Sequence, residues 1–353
     1  MQVYGTLSAS PFAILVLALR PTGGWMNRRD GVSALLLGLF SLCAATLVRK
    51  AEAVERAVRI GVLGVSTAAE AAANMGVFLQ TLRELGWVGE RAIVFEERYA
   101  DGHFERLPPL AAELVALKVD LILADSGTPG VRAAMKATRQ VPIVFSSAGD
   151  PVGQGMIQSL GHPGGNVTGF SIMAAELSIK KTTLLMEAVP GIKRMGFLVN
   201  SANPATAYFV PLIQAAIRSA GIQLEVFDIR EFETVEKAFE RMSRAGVQAV
   251  RLQDDYAFSS NLKQIGLLAL RYRLPLMAGD DELGVLLTYT QDTPNLFRQL
   301  AMQVDKILKG ANPGDLPVEQ PAKFRLAINL RTAKALGLAI PQALLLRADE
   351  VIQ

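Results

Sequence analysis

Cysteine is nearly missing from this 353-residue chain: Cys43 is the single thiol, and histidine occurs only as His103 and His162. A chain with no thiol beyond residue 43 builds no disulfide scaffold and no cysteine zinc cluster. Two histidines far apart in sequence supply neither a metal-ligand group nor a Ser-His-Asp set. The chain is therefore expected to need no metal and no cofactor, and to bind rather than to catalyse. Gly164-Gly165-Asn166-Val167-Thr168 is glycine-rich but lacks the Gly-Lys-Ser/Thr ending of a phosphate loop. Excess charge is scarce as well. The formal net charge is +3, and residues 1–53 hold five of the 36 basic and two of the 33 acidic side chains, which leaves the remainder balanced. A neutral body carries no electrostatic footprint for nucleic acid, so no nucleic-acid partner is expected.

Half of the residues are apolar, enough for large cores in about two domains. The N-terminal segment 1–53 reads as an export signal. Met26-Asn27-Arg28-Arg29-Asp30 supplies a positive start, residues 32–48 an apolar run, and Ala51-Glu52-Ala53 a small-x-small cleavage site. Met26 is an alternative start, Val54 the expected mature N-terminus, and an uncleaved membrane anchor the competing reading of the apolar run. Leu42 precedes Cys43, where a lipoprotein signal wants a small residue. The expected destination is the periplasm, which suits a thiol-free domain.

From residue 58 onward, strand-like and helix-like periods alternate with short connections, the pattern of βαβ units in mostly parallel sheets. Strands are expected near 58–64, 92–98, 119–124 and 142–146, with helices at 69–85, 104–117 and 129–138 between them. A turn-dense break at 161–166 leads to a crossing strand at 167–170. A second series follows: helix 175–188, strand 195–199, helix 204–220, strand 222–227, helix 234–245, strand 247–252, helix 259–272 and strand 274–277. The fold class is α/β, with two Rossmann-like lobes of parallel sheet.

Several strands run into small polar turns, where an open α/β sheet builds a ligand cradle. Ser66-Thr67, Ser126-Gly127-Thr128-Pro129, Ser147 with Asp150, and Asn200 with Asn203 are the candidates. Thr128, Asp150 and Asn203 each precede proline and fit helix N-caps. Capping alone explains these residue types, and an anion held by the same helix starts and hydroxyls explains them equally. Asp254, Asp255 and Asp280-Asp281 follow second-half strands and suit a ligand ammonium, or are solvated loop charge. Tyr256, Tyr208, Phe258 and Tyr289 are candidates for an apolar wall, or ordinary packing. The expected arrangement is two-ended: carboxylate on first-lobe hydroxyls, ammonium on a second-lobe acid.

Arg59-Ile60-Gly61-Val62-Leu63, Leu82-Arg83-Glu84-Leu85-Gly86-Trp87, Gly149-Asp150-Pro151-Val152, Pro163-Gly164-Gly165-Asn166-Val167-Thr168-Gly169 and Leu316-Pro317-Val318-Glu319-Gln320-Pro321 stand in an order and spacing of their own. With Asn329-Leu330 and Ala333-Lys334-Ala335-Leu336-Gly337-Leu338, they resemble the ABC-transporter substrate-binding proteins that include tryptophan- and other amino-acid-binding lipoproteins. The resemblance implies a type I periplasmic-binding fold with hinge strands and lobe closure around a ligand. It also implies discontinuous lobes, 54–170 plus about 289–312 and 171–288 plus about 313–353. Its expected partners are a small-molecule ligand, an amino acid or related carboxylate, and a membrane ABC permease, with the receptor itself a monomer. A ligand-sensing subunit of a signalling system is the alternative on the same fold. Met277 to Gly284 is shorter and more acidic than the family pattern.

Overall fold

The computed structural model describes residues 57–89, 92–218, 220–230 and 234–353. The expected export signal lies outside the described residues. The described residues open with β1 (Val58–Gly64), α1 (Ala68–Glu84), β2 (Ile93–Tyr99), α2 (Leu107–Ala116), β3 (Leu121–Asp125), α3 (Gly127–Ala137), β4 (Ile143–Ala148) and β5 (Val167–Ser171). These strands form one parallel sheet in the order β2-β1-β3-β4-β5. β1, β3 and β4 are buried on both faces, so they read as continuous apolar runs rather than alternating ones.

The second lobe contains α4 (Ala174–Ala188), β6 (Arg194–Val199), α5 (Thr206–Arg218), β7 (Gln223–Asp228), α6 (Val235–Arg244), β8 (Ala249–Leu252), α7 (Tyr256–Ser259), α8 (Leu262–Arg271), β9 (Leu276–Ala278) and β10 (Leu287–Gln291). After α9 (Thr293–Leu308), the chain adds β11 (Phe324–Asn329), α10 (Leu330–Leu336), α11 (Gln342–Leu345) and β12 (Glu350–Ile352). The sheet order is β12-β11-β10-β9-β8-β6-β7, parallel except where β10 meets β11. This architecture is the two-lobed α/β arrangement of type I periplasmic-binding proteins.

The α9 helix belongs to the first lobe by packing. Its Leu296, Leu300, Val304 and Ile307 share a core with Met75, Phe78 and Leu82 of α1 and with Ile60 and Val62 of β1. Those positions recur at helical spacing on both helices, so each presents one apolar stripe to the same sheet face. α2 and α3 cover the opposite face through Leu107, Ala111, Leu114, Val131 and Ala134. On the way back, Glu319 pairs beside Phe170, and Thr168 Oγ1 donates to Leu316 O at 2.8 Å. Ladder pairing thus keeps Tyr289–Gln291 in the second lobe, and these bonds keep residues 313–319 against the first.

Among the described residues, no helix is long and apolar enough to cross a membrane, and no group of His, Cys, Asp or Glu is placed to hold a metal.

Candidate functional site

The carboxyl ends of β1, β3 and β4 face those of β6, β8 and β9 across a cleft of about 360 Å³. Ser126, Thr128, Ser147, Asn203, Asp254, Asp255, Tyr256 and Asp280 line it, as do Leu177, Phe209 and Phe258. Ser66, Thr67, Asp150 and Asn200 do not. Tyr208 and Tyr289 also lie outside its lining, Tyr289 stacked on Phe324.

Local hydrogen bonding accounts for several of these side chains. Thr67 caps α1 in a reciprocal box with Glu70. The Asp150 carboxylate accepts from Gly153 N at 2.8 Å and from the Tyr208 hydroxyl at 3.0 Å. Asn200 and Asn203 donate to the two oxygens of Asp255 at 3.0 and 2.7 Å, and Asp255 also caps α7 through Ala257 N. With both oxygens engaged, Asp255 is a bracket for the loop after β6. Ser126 Oγ donates to Leu63 O and so staples β3 to β1.

The three expected N-caps before proline are not helix caps. α3 begins at Gly127, with Ser126 at its N-cap, so Thr128 stands inside the first turn and accepts from Gly149 N at 3.3 Å. Asp150 starts an isolated turn instead of a helix, and α5 begins only at Thr206, beyond Asn203-Pro204. Thr128 is overtaken by a helix that starts earlier than expected, whereas Asp150 and Asn203 bond to Tyr208 and Asp255 and no helix starts at either.

Two cations on the cleft floor went unread in the sequence. Lys181 of α4, only 2 % exposed, places Nζ 2.6 Å from Asp254 Oδ1, and Arg251 of β8, 1 % exposed, places Nη2 3.3 Å from Asp254 Oδ2. Arg251 was visible as a charge inside the apolar run Ala249-Val250-Arg251-Leu252. Lys181 was visible as a charge on the buried stripe of α4, between Leu177 and Leu184-Leu185. Burial pulls the Lys181 ammonium down from its usual range and the Arg251 charge adds to this, while Asp254 opposes both. Burial also disfavours ionised Asp254, but the charges and hydrogen bonds of Lys181 and Arg251 outweigh it and hold its carboxyl below the ordinary range. Asp254 therefore neutralises protein cations. Asp281 is likewise engaged, by Arg325. Asp280 alone of the four acids has no hydrogen-bond partner among the described residues, and its enclosure pushes its carboxyl up.

The cleft thus combines apolar walls, a row of hydroxyls on the first lobe, and buried charge on the second. A family model described as ABC transporter substrate binding protein matches residues 59–352. A tyrosine-binding protein of Clostridioides difficile (strain R20291) is 26% identical over 265 residues, 74% of this chain and 75% of that protein. Among solved structures, the ABC domain from Streptococcus pneumonia in complex with L-Trp is 23% identical with a TM-score of 0.73, covering 84% of this chain and 100% of that one. A conserved domain protein from Vibrio cholerae is 24% identical with a TM-score of 0.76, again over 84% and 100%. These two structural likenesses carry the fold.

Proposed function

The chain belongs to the ABC transporter substrate-binding protein family, and from that premise we propose that it is an exported receptor for an amino acid. It encloses the ligand between its lobes and delivers it to a membrane ABC permease. The carrying observation is the cleft itself: about 360 Å³, near the size of a small ligand site, lined by apolar walls and a few placed polar groups. Phe209 and Phe258 with Leu177 suit an apolar or aromatic side chain. The tyrosine-binding relative supports the same class of ligand.

The polar contacts are reassigned relative to the four-acid expectation. Asp254, Asp255 and Asp281 already serve protein partners, so Asp280 is the acid left to meet an ammonium. On the first lobe, Ser147 and Thr128 face the cleft, whereas Ser126 is committed to Leu63. The family match favours delivery to a permease over the sensing alternative.

Native mass spectrometry of freshly purified protein, followed by calorimetry with L-tyrosine and L-tryptophan, tests this reading. A co-purified amino acid, or saturable one-to-one binding of either, is the expected result. Preparations free of any small molecule, with no heat from either amino acid, would overturn it.

A further inference from the structure

Arg251 heads the large side chains that are almost fully buried, and its charge is permanent, because a guanidinium does not deprotonate in a protein. It projects from the middle of β8, opposite Phe197 of β6 and Met277 of β9 in the ladder, and lines the cleft. Its Nη2 meets Asp254 Oδ2, and that carboxylate is shared with Lys181. The Nε and Nη1 atoms are buried and donate to nothing among the described residues. Asp254 is thus the one carboxylate within hydrogen-bond reach of both buried cations, with Asp280 acting on Lys181 from farther off, and two strong guanidinium donors remain unused. Native interiors rarely leave such groups unmatched without a reason. A second orphan lies in the same cleft. Gln291, at the end of β10, has a buried Oε1 that accepts from nothing among the described residues. Unused donors on a cation and an unused acceptor, on two residues that line one cavity, describe a ligand that brings an anion and a hydrogen-bond donor.

We propose that Arg251 is the anchor for the ligand's carboxylate, and that Gln291 Oε1 accepts from a donor on the same molecule, as a free α-amino acid provides. This deepens the receptor reading and rests on it. It also reverses the two-ended division expected from the sequence: the carboxylate lies on the second lobe, and the first-lobe hydroxyls contact the remainder of the ligand. A carboxylate at Arg251 gains charge-assisted hydrogen bonds from a guanidinium that is itself almost fully buried, where such bonds are stronger than in water. A neutral amide at the same place brings no charge to the unused guanidinium donors.

The test is calorimetry of the full chain with three probes: L-tyrosine, L-tyrosinamide and 3-(4-hydroxyphenyl)propionate, on the wild type, Arg251→Gln and Gln291→Leu. The wild type should prefer tyrosine to the amide by at least about tenfold, and Arg251→Gln should lose tyrosine affinity on the order of 100-fold together with that preference. Gln291→Leu should narrow the gap between tyrosine and the deaminated acid. If Arg251→Gln binds tyrosine as the wild type does and still rejects the amide, Arg251 is not the anchor, while the receptor reading stands. Should that variant fail to fold, the wild type still decides, because equal affinity for tyrosine and tyrosinamide overturns the anchor. A co-purified ligand without a carboxylate does the same. Silence with all three probes and no co-purified ligand overturns the receptor reading itself.

Discussion

The hydroxyl of Tyr256, in the second lobe, donates to Glu70 Oε2 in the first turn of α1 at 2.5 Å, tying the two lobes across the cleft rim. Burial and the Glu70 partner push the Tyr256 phenol up to about 12, so it stays a donor throughout the neutral range. The Tyr256 ring also packs against Gly102, where a Cβ would stand 2.9 Å from it on a backbone with φ +84. Tyr208 makes a second tie between the lobes, to Asp150 at 3.0 Å.

Both ties exist only while the lobes are together, so they weight the closed state by their own free energy. Tyr256→Phe and Tyr208→Phe should each cost the closed state about 0.5–1.5 kcal/mol, because both bonds go to carboxylates but lie exposed to solvent. Small-angle scattering of the ligand-free variants should show a larger radius of gyration than the wild type, and the double variant a larger one still. Superimposable curves for all four proteins would remove the ties from the closure equilibrium.

The Lys181–Asp254–Arg251 cluster predicts unequal costs for its members. Asp254→Asn leaves two buried cations side by side and should lower stability by about 3 kcal/mol, the low end for a broken buried pair, because the carboxylate faces the cleft. Lys181→Met keeps the Asp254–Arg251 pair and fills a similar volume, so its cost should be under half of that. Urea denaturation of both variants gives the comparison. Equal losses would mean that the cluster is a simple Lys–Asp pair.

Ser126 and Ser147 belong to the same hydroxyl row but should respond differently. Ser126→Ala deletes the staple to Leu63 O and should lower stability by about 0.5–1.5 kcal/mol while leaving ligand affinity alone. Ser147→Ala, at the cleft surface, should weaken binding and spare the melting temperature. Paired melting and titration experiments check this, and an affinity loss in Ser126→Ala without destabilisation would reverse the assignment.

Asp125, at the end of β3, is half-buried, and its desolvation raises the carboxyl above the ordinary range, partly offset by the hydrogen bond from Ser146. A raised acid binds more protons in the folded state. Its contribution to stability is complete below the unfolded value of about 3.9 and is lost as pH rises through the folded value. Asp125→Asn removes that penalty, so its melting temperature should exceed the wild type's at pH 7, with the gap closing as pH falls toward 4. A gap constant from pH 4 to 8 would show that Asp125 does not titrate differently on folding.

Short windows of the chain carried most of the fold. Met75, Phe78 and Leu82 announce α1 by spacing alone, and the runs at Ile60–Leu63 and Leu121–Ala124 announce buried parallel strands, because backbone preference and apolar period are local properties. The polar strand ends were legible for the same reason, since a strand that stops at the sheet edge needs small residues to turn. The segment from β11 to β12 was harder. β12 is only three residues long, and that β10 and β11 run antiparallel is a fact about which edge each joins.

Which polar groups are free was decided only by packing. Asp254 and Asp255 are neighbours of the same type, yet one neutralises Lys181 from 73 residues away and the other brackets Asn200 and Asn203. Trp87 likewise reaches Asp305 across 218 residues, once α9 has returned to cover the first sheet. The sequence by itself determined the alternation of strands and helices, the polar rim at the strand ends, and the presence of a charge at 251 inside an apolar strand. Only the tertiary structure decided that this charge lies beside Lys181 with donors left over. Hydrogen bonds and ion pairs depend on distances of a few ångströms, and those are set by how remote segments stack rather than by spacing along the chain.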